Sequence, residues 1–194
     1  VYSNPPAPQQ ADSWWARYKA QPTGLTDTAR ASVEADSRYI LRCGVLAADT
    51  AKSEEWSSRR SRTGLVMGSV QSGKTASMLG VSALAIDGGV DIIIVLAGTR
   101  LSLWRQTYER LVQQLDSGKD DVQKIKRRLL CPLPGIALSD QTHPLATTYR
   151  LPPAQVRQRL SQGKPVIIVA MKQTDHLHAL AASLRANVFS VVKE

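Results

Sequence analysis

Gly68-Ser69-Val70-Gln71-Ser72-Gly73-Lys74-Thr75 is the stretch that decides how the rest of this chain is read. It meets every fixed position of the pattern G-x-x-x-x-G-K-[ST]. An apolar, strand-like run, Gly64-Leu65-Val66-Met67, precedes it, and a small-residue helix is predicted from Ala76 to Ile86. Strand, Gly-rich loop and helix in that order are the context of a phosphate-binding loop. Glycine at 68 and 73 allows backbone conformations that a side chain forbids. The amides from Ser69, Val70, Gln71, Ser72 and Gly73 through Lys74, Thr75 and Ala76 can then converge on an anion, and the new helix adds the positive end of its dipole. Lys74 is expected to reach the β- and γ-phosphates of ATP, and Thr75 to put its hydroxyl on Mg²⁺. Gln71 has two readings: contact with the γ-phosphate or a partner lobe, and packing within the loop.

The chain has 194 residues, room for one α/β domain with an appendage. Its longest apolar runs, Ile92 to Ala97 and Val166 to Met171, are far too short to span a bilayer, and no secretory signal pattern is present. No membrane partner is therefore expected. Cys43 and Cys131 have no Cys or His at ligand spacing and read as buried thiols of a reducing cytoplasm. His143, His176 and His178 form no metal-ligand pattern with acids or cysteines and read as surface or packing residues. The net charge of +9 points to an anionic partner beyond ATP, with nucleic acid the natural candidate. A solubility charge, or a face for an acidic protein, explains it equally well.

Residues 1–62 read as a Pro-rich tail followed by a small helical region. Asp12 or Ser13 can cap a short helix carrying Trp14, Trp15 and Tyr18, aromatics that suit a docking face. After Pro22-Thr23-Gly24, Asp27 looks like the cap of a helix running to about Ala47. Residues 63–194 read as the nucleotide core. Asp87-Gly88-Gly89 ends the loop helix. Asp91 to Ala97 is a near-continuous β-branched run, the mark of a parallel strand buried on both faces. A helix follows from about Ser102 to Leu115, with Trp104, Tyr108, Leu111 and Leu115 on one stripe. Residues 116–164 form a basic insertion, with an apolar stripe at Val122, Ile125 and Leu129. Between Gly118 and Pro165 nine basic residues face three acidic ones, most of the net charge. It reads as a solvated helix face or as a nucleic-acid surface. Pro165 to Ala170 is a third strand, Asp175 to Leu184 its helix, and Val188 to Val192 the start of a fourth strand. The expected fold is α/β: a parallel sheet wrapped by helices, with loops 68–75, 98–101 and 171–174 at one edge.

The kind of nucleotide protein follows from those loops. An Asn-Lys-x-Asp base-reading element is missing, since the asparagines are Asn4 and Asn187, which argues against a GTPase. Gly98-Thr99-Arg100-Leu101 is similar to the strand-contacting loop of superfamily-two helicases, and Val169 to Thr174 sits where those enzymes have another. Thr99, Arg100 and Lys172 are the resulting candidates for contact with a DNA backbone. A closer resemblance rests on Arg62 to Ala76, on Ile93 to Gly98, and on Leu103, Arg105, Gln106, Thr107 and Arg110. In these residues the chain resembles the bacterial Z-one domain family. The resemblance covers roughly residues 56–115 well and 164–185 loosely. It implies a RecA-like, helicase-type ATPase of prokaryotic defence islands, directed at foreign DNA and often encoded beside a GHKL-type (MORC-like) ATPase and nucleases.

That family carries a further strand ending in acidic residues, which help hold Mg²⁺ and position the attacking water. Val191-Val192-Lys193-Glu194 matches it poorly, and the chain reads as the N-terminal part of a longer protein that would hold phosphate without completing hydrolysis. Three functional readings follow: a DNA-dependent motor, a nucleotide-switched scaffold that recruits a nuclease or GHKL-type ATPase, and a small-molecule kinase.

Overall fold

A computed structural model describes residues 13–21, 25–46, 64–68, 73–115 and 153–187. The chain divides into two compact units, residues 1–90 and 91–194.

The first unit is helical. Helix α1 spans Trp14–Ala20, α2 spans Asp27–Ile40, and α3 spans Lys74–Asp87. Ser13 caps α1, its hydroxyl accepting from the Ala16 N–H at 3.0 Å. Thr26, not Asp27, caps α2: its backbone is extended and its hydroxyl accepts from the Ala29 N–H at 3.3 Å. Asp27 sits one place further in, where its carboxylate favours the positive end of the helix dipole. The regular helix does not reach Ala47. It gives way after Ile40 to a π-helical turn, Leu41–Leu46, that contains Cys43 and Gly44.

Helices α1 and α2 pack against α3, which is apolar nearly all round and buries Leu79, Gly80 and Ser82 to Ile86. Trp15 and Tyr18 are both buried, with ring centroids 5.9 Å apart, so these aromatics form the docking face their spacing suggests. Close approach depends on Gly80. A Cβ there would lie 2.4 Å from Ser37 Oγ and 3.1 Å from the Trp15 ring.

The strand expected at Gly64 to Met67 is not formed. Residues 64–68 carry no regular structure, and Leu65 and Met67 are 84% and 85% exposed. A strand exists only when a neighbour takes its N–H and C=O groups. Among the described residues none pairs with this run.

The second unit holds β1 (Ile92–Leu96), α4 (Leu101–Leu115), α5 (Pro153–Ser161), β2 (Val166–Ala170) and α6 (Thr174–Asn187). The strands are parallel, Ile92 opposite Val166 through Leu96 opposite Ala170. The described residues thus give a helix-rich α/β chain with a two-stranded parallel sheet in place of the larger sheet expected. The stretch read as a basic insertion contains helix α5; Pro153 opens it at the one helical position proline favours. The apolar stripe at Val122, Ile125 and Leu129, the run Val188 to Val192, and Cys131 and His143 lie outside the described residues.

Helices α5 and α6 cover one face of the sheet. Val156, Leu180 and Leu184 pack with Val166, Ile168 and Ala170 of β2, and Ile92 and Leu160 border the cluster. All five residues of β2 are buried, as a parallel strand covered on both faces requires. β1 departs from the same expectation: Ile94 and Leu96 are 42% and 47% exposed.

The ladder also shows how the outer edge of β2 is closed. Val166 N–H donates to Asp91 C=O, and Ala97 N–H donates to Ala170 C=O. Residues 166, 168 and 170 therefore turn their backbone groups toward β1, and the Val169 carbonyl points the other way. The fully buried Trp104 of α4 donates its indole N–H to that carbonyl at 2.9 Å. A side chain, not a strand, serves this position.

Candidate functional site

The phosphate-loop motif enters α3 through Gly73, whose φ of +80° lies in the left-handed region. A residue with a Cβ would be strained there, which is the physical reason for glycine. No side chain caps α3. Its ladder begins with Ser77 N–H donating to Gly73 C=O at 3.0 Å, so the amides of Lys74, Thr75 and Ala76 precede the first rung. Lys74 is exposed, and its Nζ donates to Gly68 C=O at 2.7 Å, tying the two ends of the motif together. Thr75 and Ala76 are half-buried. Ser69, Val70, Gln71 and Ser72 lie outside the described residues.

This donor set fits a phosphate: helix-opening amides, a positive dipole end and an ammonium directed across the turn. Thr75 offers a hydroxyl at the helix start that could serve Mg²⁺, whose remaining ligands would be phosphate oxygens and water. Among the described residues no cluster of three His, Cys, Asp or Glu could hold a metal by itself.

Behind the turn, two N-terminal helices grip α3. Tyr18 OH donates to Ala76 C=O at 2.9 Å, and Ser37 Oγ donates to Ser77 C=O at 3.3 Å. At the far end of α3 the Asp87 carboxylate accepts from Trp14 N–H at 2.8 Å and Trp15 N–H at 2.9 Å, so it caps α1 from another helix. Burial pushes the Asp87 carboxyl above its ordinary value; its two amide donors, Ser13 and Arg17 pull the other way and do not overcome it. Burial raises the Tyr18 phenol as well, which keeps it a donor. Glu34 of α2 joins the helices on the surface, 3.1 Å from Lys19 and 2.9 Å from Arg38. Burial alone would raise its carboxyl, but the two cations outweigh that and hold it below the ordinary value.

The sequence marks Tyr18 only as a docking aromatic and Asp87 only as the end of the loop helix, and it gives Ser37 and Gly80 no role. One signal was available: a lone glycine inside a strongly helical run indicates a close packing contact.

In the second unit the structure brings together the exit loops of the two strands. Lys172 N–H donates to Gly98 C=O at 2.6 Å, just past the last ladder bond. Thr99, Arg100 and Lys172 are all exposed there, at the carboxyl edge of the sheet. Two cations beside backbone polar groups can hold phosphates of a nucleic-acid strand. His176 is fully buried in the first turn of α6 and His178 is exposed, in keeping with packing and surface roles. Among the described residues no helix is long and apolar enough to cross a membrane.

No protein-family model, no curated protein sequence and no solved structure matches this chain. Its functional reading therefore stands on the residues themselves.

Proposed function

We propose that the chain is the ATP-binding part of a RecA-like, helicase-type P-loop ATPase that acts on DNA, of the kind the Z-one resemblance implies in prokaryotic defence. One observation carries the reading: a complete G-x-x-x-x-G-K-T motif runs into α3 through a left-handed Gly73, with Lys74 Nζ reaching back to Gly68 C=O. A glycine-rich surface turn has no need of lysine and threonine at those two places; a phosphate site needs both. ATP when bound supplies the transferable γ-phosphoryl group, with Mg²⁺ neutralising its oxygens. The chain's own part is to bind and orient. The amides opening α3 would donate to phosphate oxygens, Lys74 would exchange Gly68 C=O for phosphate oxygens, and Thr75 would hold the metal. In a RecA-like core the loops after successive strands share one edge of the sheet. On that reading Thr99, Arg100 and Lys172 hold the DNA backbone, which their exposure and the joined exit loops support.

The test is Mg·ATP binding by the chain, and turnover by the full-length protein with and without duplex DNA, each beside Lys74→Ala. Loss of one charge-assisted contact predicts at least about tenfold weaker binding for the variant. ATP binding indifferent to Lys74 sinks the reading. DNA affinity that drops in Arg100→Ala and Lys172→Ala, with a shallower salt dependence, supports the DNA role. Lys74-dependent turnover untouched by DNA favours the switched scaffold instead.

A further inference from the structure

The turn that would hold phosphate is wired to the N-terminal helices through peptide groups. The Lys74 N–H shares its peptide unit with Gly73 C=O. That carbonyl accepts from Ser77 N–H at 3.0 Å. The Ser77 N–H shares its unit with Ala76 C=O, which accepts from Tyr18 OH at 2.9 Å. A second series runs beside it. The Thr75 N–H shares its unit with Lys74 C=O, which pairs along the helix with Met78 N–H. The Met78 unit contains Ser77 C=O, which accepts from Ser37 Oγ at 3.3 Å. Hydrogen bonds in such a series polarise one another, so donation at one end strengthens acceptance at the other. Tyr18 is buried, where these effects are screened least.

We propose that Tyr18 is a positioning residue for the phosphate turn, and that docking of α1 on α3 and nucleotide binding at Gly68 to Thr75 strengthen each other. The inference rests on the nucleotide-binding reading above. The N-terminal helix thereby becomes a regulatory element. Anything that pulls α1 away lowers nucleotide affinity, and nucleotide tightens α1, by the same factor in each direction. Asp87 makes the coupling mechanical: it holds the start of α1 from the far end of α3 while Tyr18 touches the first turn.

The experiment compares wild type, Tyr18→Phe, Ser37→Ala and Lys74→Ala. Calorimetry gives the affinity for Mg·ATP, hydrogen exchange reports residues 14–20 with and without nucleotide, and circular dichroism checks that each variant is folded. Tyr18→Phe keeps the ring and removes only the donor; because the bond stands with and without nucleotide, only its strengthening enters the affinity, and binding weakens by about 1.5- to threefold. Ser37→Ala, on the parallel series and on α2, with a longer bond, predicts a smaller loss. In wild type, nucleotide slows exchange of α1 by a matching factor, and in Tyr18→Phe that slowing disappears. A merely structural tyrosine would leave the nucleotide-dependent slowing in place. Equal affinity of Tyr18→Phe and wild type, or α1 exchange indifferent to nucleotide, overturns the coupling; if Lys74→Ala still abolishes binding, the site reading survives that result. Absence of nucleotide binding by wild type removes the site reading and the coupling with it.

Discussion

Adding one methyl group at position 80 sets two large effects against each other. In an exposed helix Gly→Ala stabilises by about 1 kcal/mol. Here the new Cβ would stand 2.4 Å from Ser37 Oγ, 3.2 Å from Ser37 Cβ and 3.1 Å from the Trp15 ring. Relieving such overpacking costs about 1–3 kcal/mol. Rotating the Ser37 hydroxyl away also gives up its bond to Ser77 C=O, another ~1 kcal/mol. The sum for Gly80→Ala is a destabilisation of about 1–3 kcal/mol, or on the order of 5 °C in the thermal midpoint of a chain this size. Ser37→Ala removes the nearest atom, so the double variant Ser37→Ala with Gly80→Ala recovers most of the loss. The coupling between the sites should be at least about 1 kcal/mol. Urea unfolding followed by far-ultraviolet circular dichroism measures all four proteins. Gly80→Ala as stable as wild type, or a double variant no better than Gly80→Ala alone, would refute the claim that α1 and α2 meet α3 at this glycine.

Two further outcomes follow from buried and half-buried polar groups. Trp104→Phe strips Val169 C=O of its donor and trims a fully buried indole to a smaller ring, so the urea midpoint should fall by the equivalent of at least about 1–3 kcal/mol; an unchanged midpoint means the edge of β2 is closed some other way. Asp87 and Glu34 should shape the pH dependence of stability in opposite senses on either side of the ordinary carboxylate range. The Asp87 carboxyl is raised in the folded state, so its contribution is full below the ordinary carboxylate value and is lost as pH rises through the raised one. The Glu34 carboxyl is lowered, so its contribution is present above the ordinary value and is lost as pH falls through the lowered one. Asp87→Asn should flatten the first slope and Glu34→Gln the second, read from urea midpoints across that range.

Much of the local structure was legible from residue order. The stripe Trp104, Tyr108, Leu111 and Leu115 is a helix because its apolar residues recur at helical spacing, and all but the half-buried Tyr108 face inward. Val166 to Ala170 is a buried strand because nothing polar interrupts a β-branched run. The motif at Gly68 to Thr75 was legible for the same kind of reason: its glycines and lysine answer local backbone and charge requirements, and Gly73 does adopt the left-handed conformation.

Pairing and packing were not legible, because they depend on what lies opposite. Leu65, Val66 and Met67 have the composition of a strand, but a strand forms only where another supplies its ladder, and that partner is not encoded in the run itself. β1 and β2 look alike in sequence, yet all of β2 is buried and β1 is partly exposed, because α4, α5 and α6 all pack against β2. Asp87 reads as the last residue of a helix; only the fold carries the amides of Trp14 and Trp15 to it. The sequence by itself determined the G-x-x-x-x-G-K-T motif, the helical and strand periodicities and the basic balance, all set within a few residues of chain. Tertiary structure alone decided which carbonyls Tyr18, Ser37 and Trp104 would meet, since those contacts join residues 40 to 65 positions apart and exist only once helices and strands are packed.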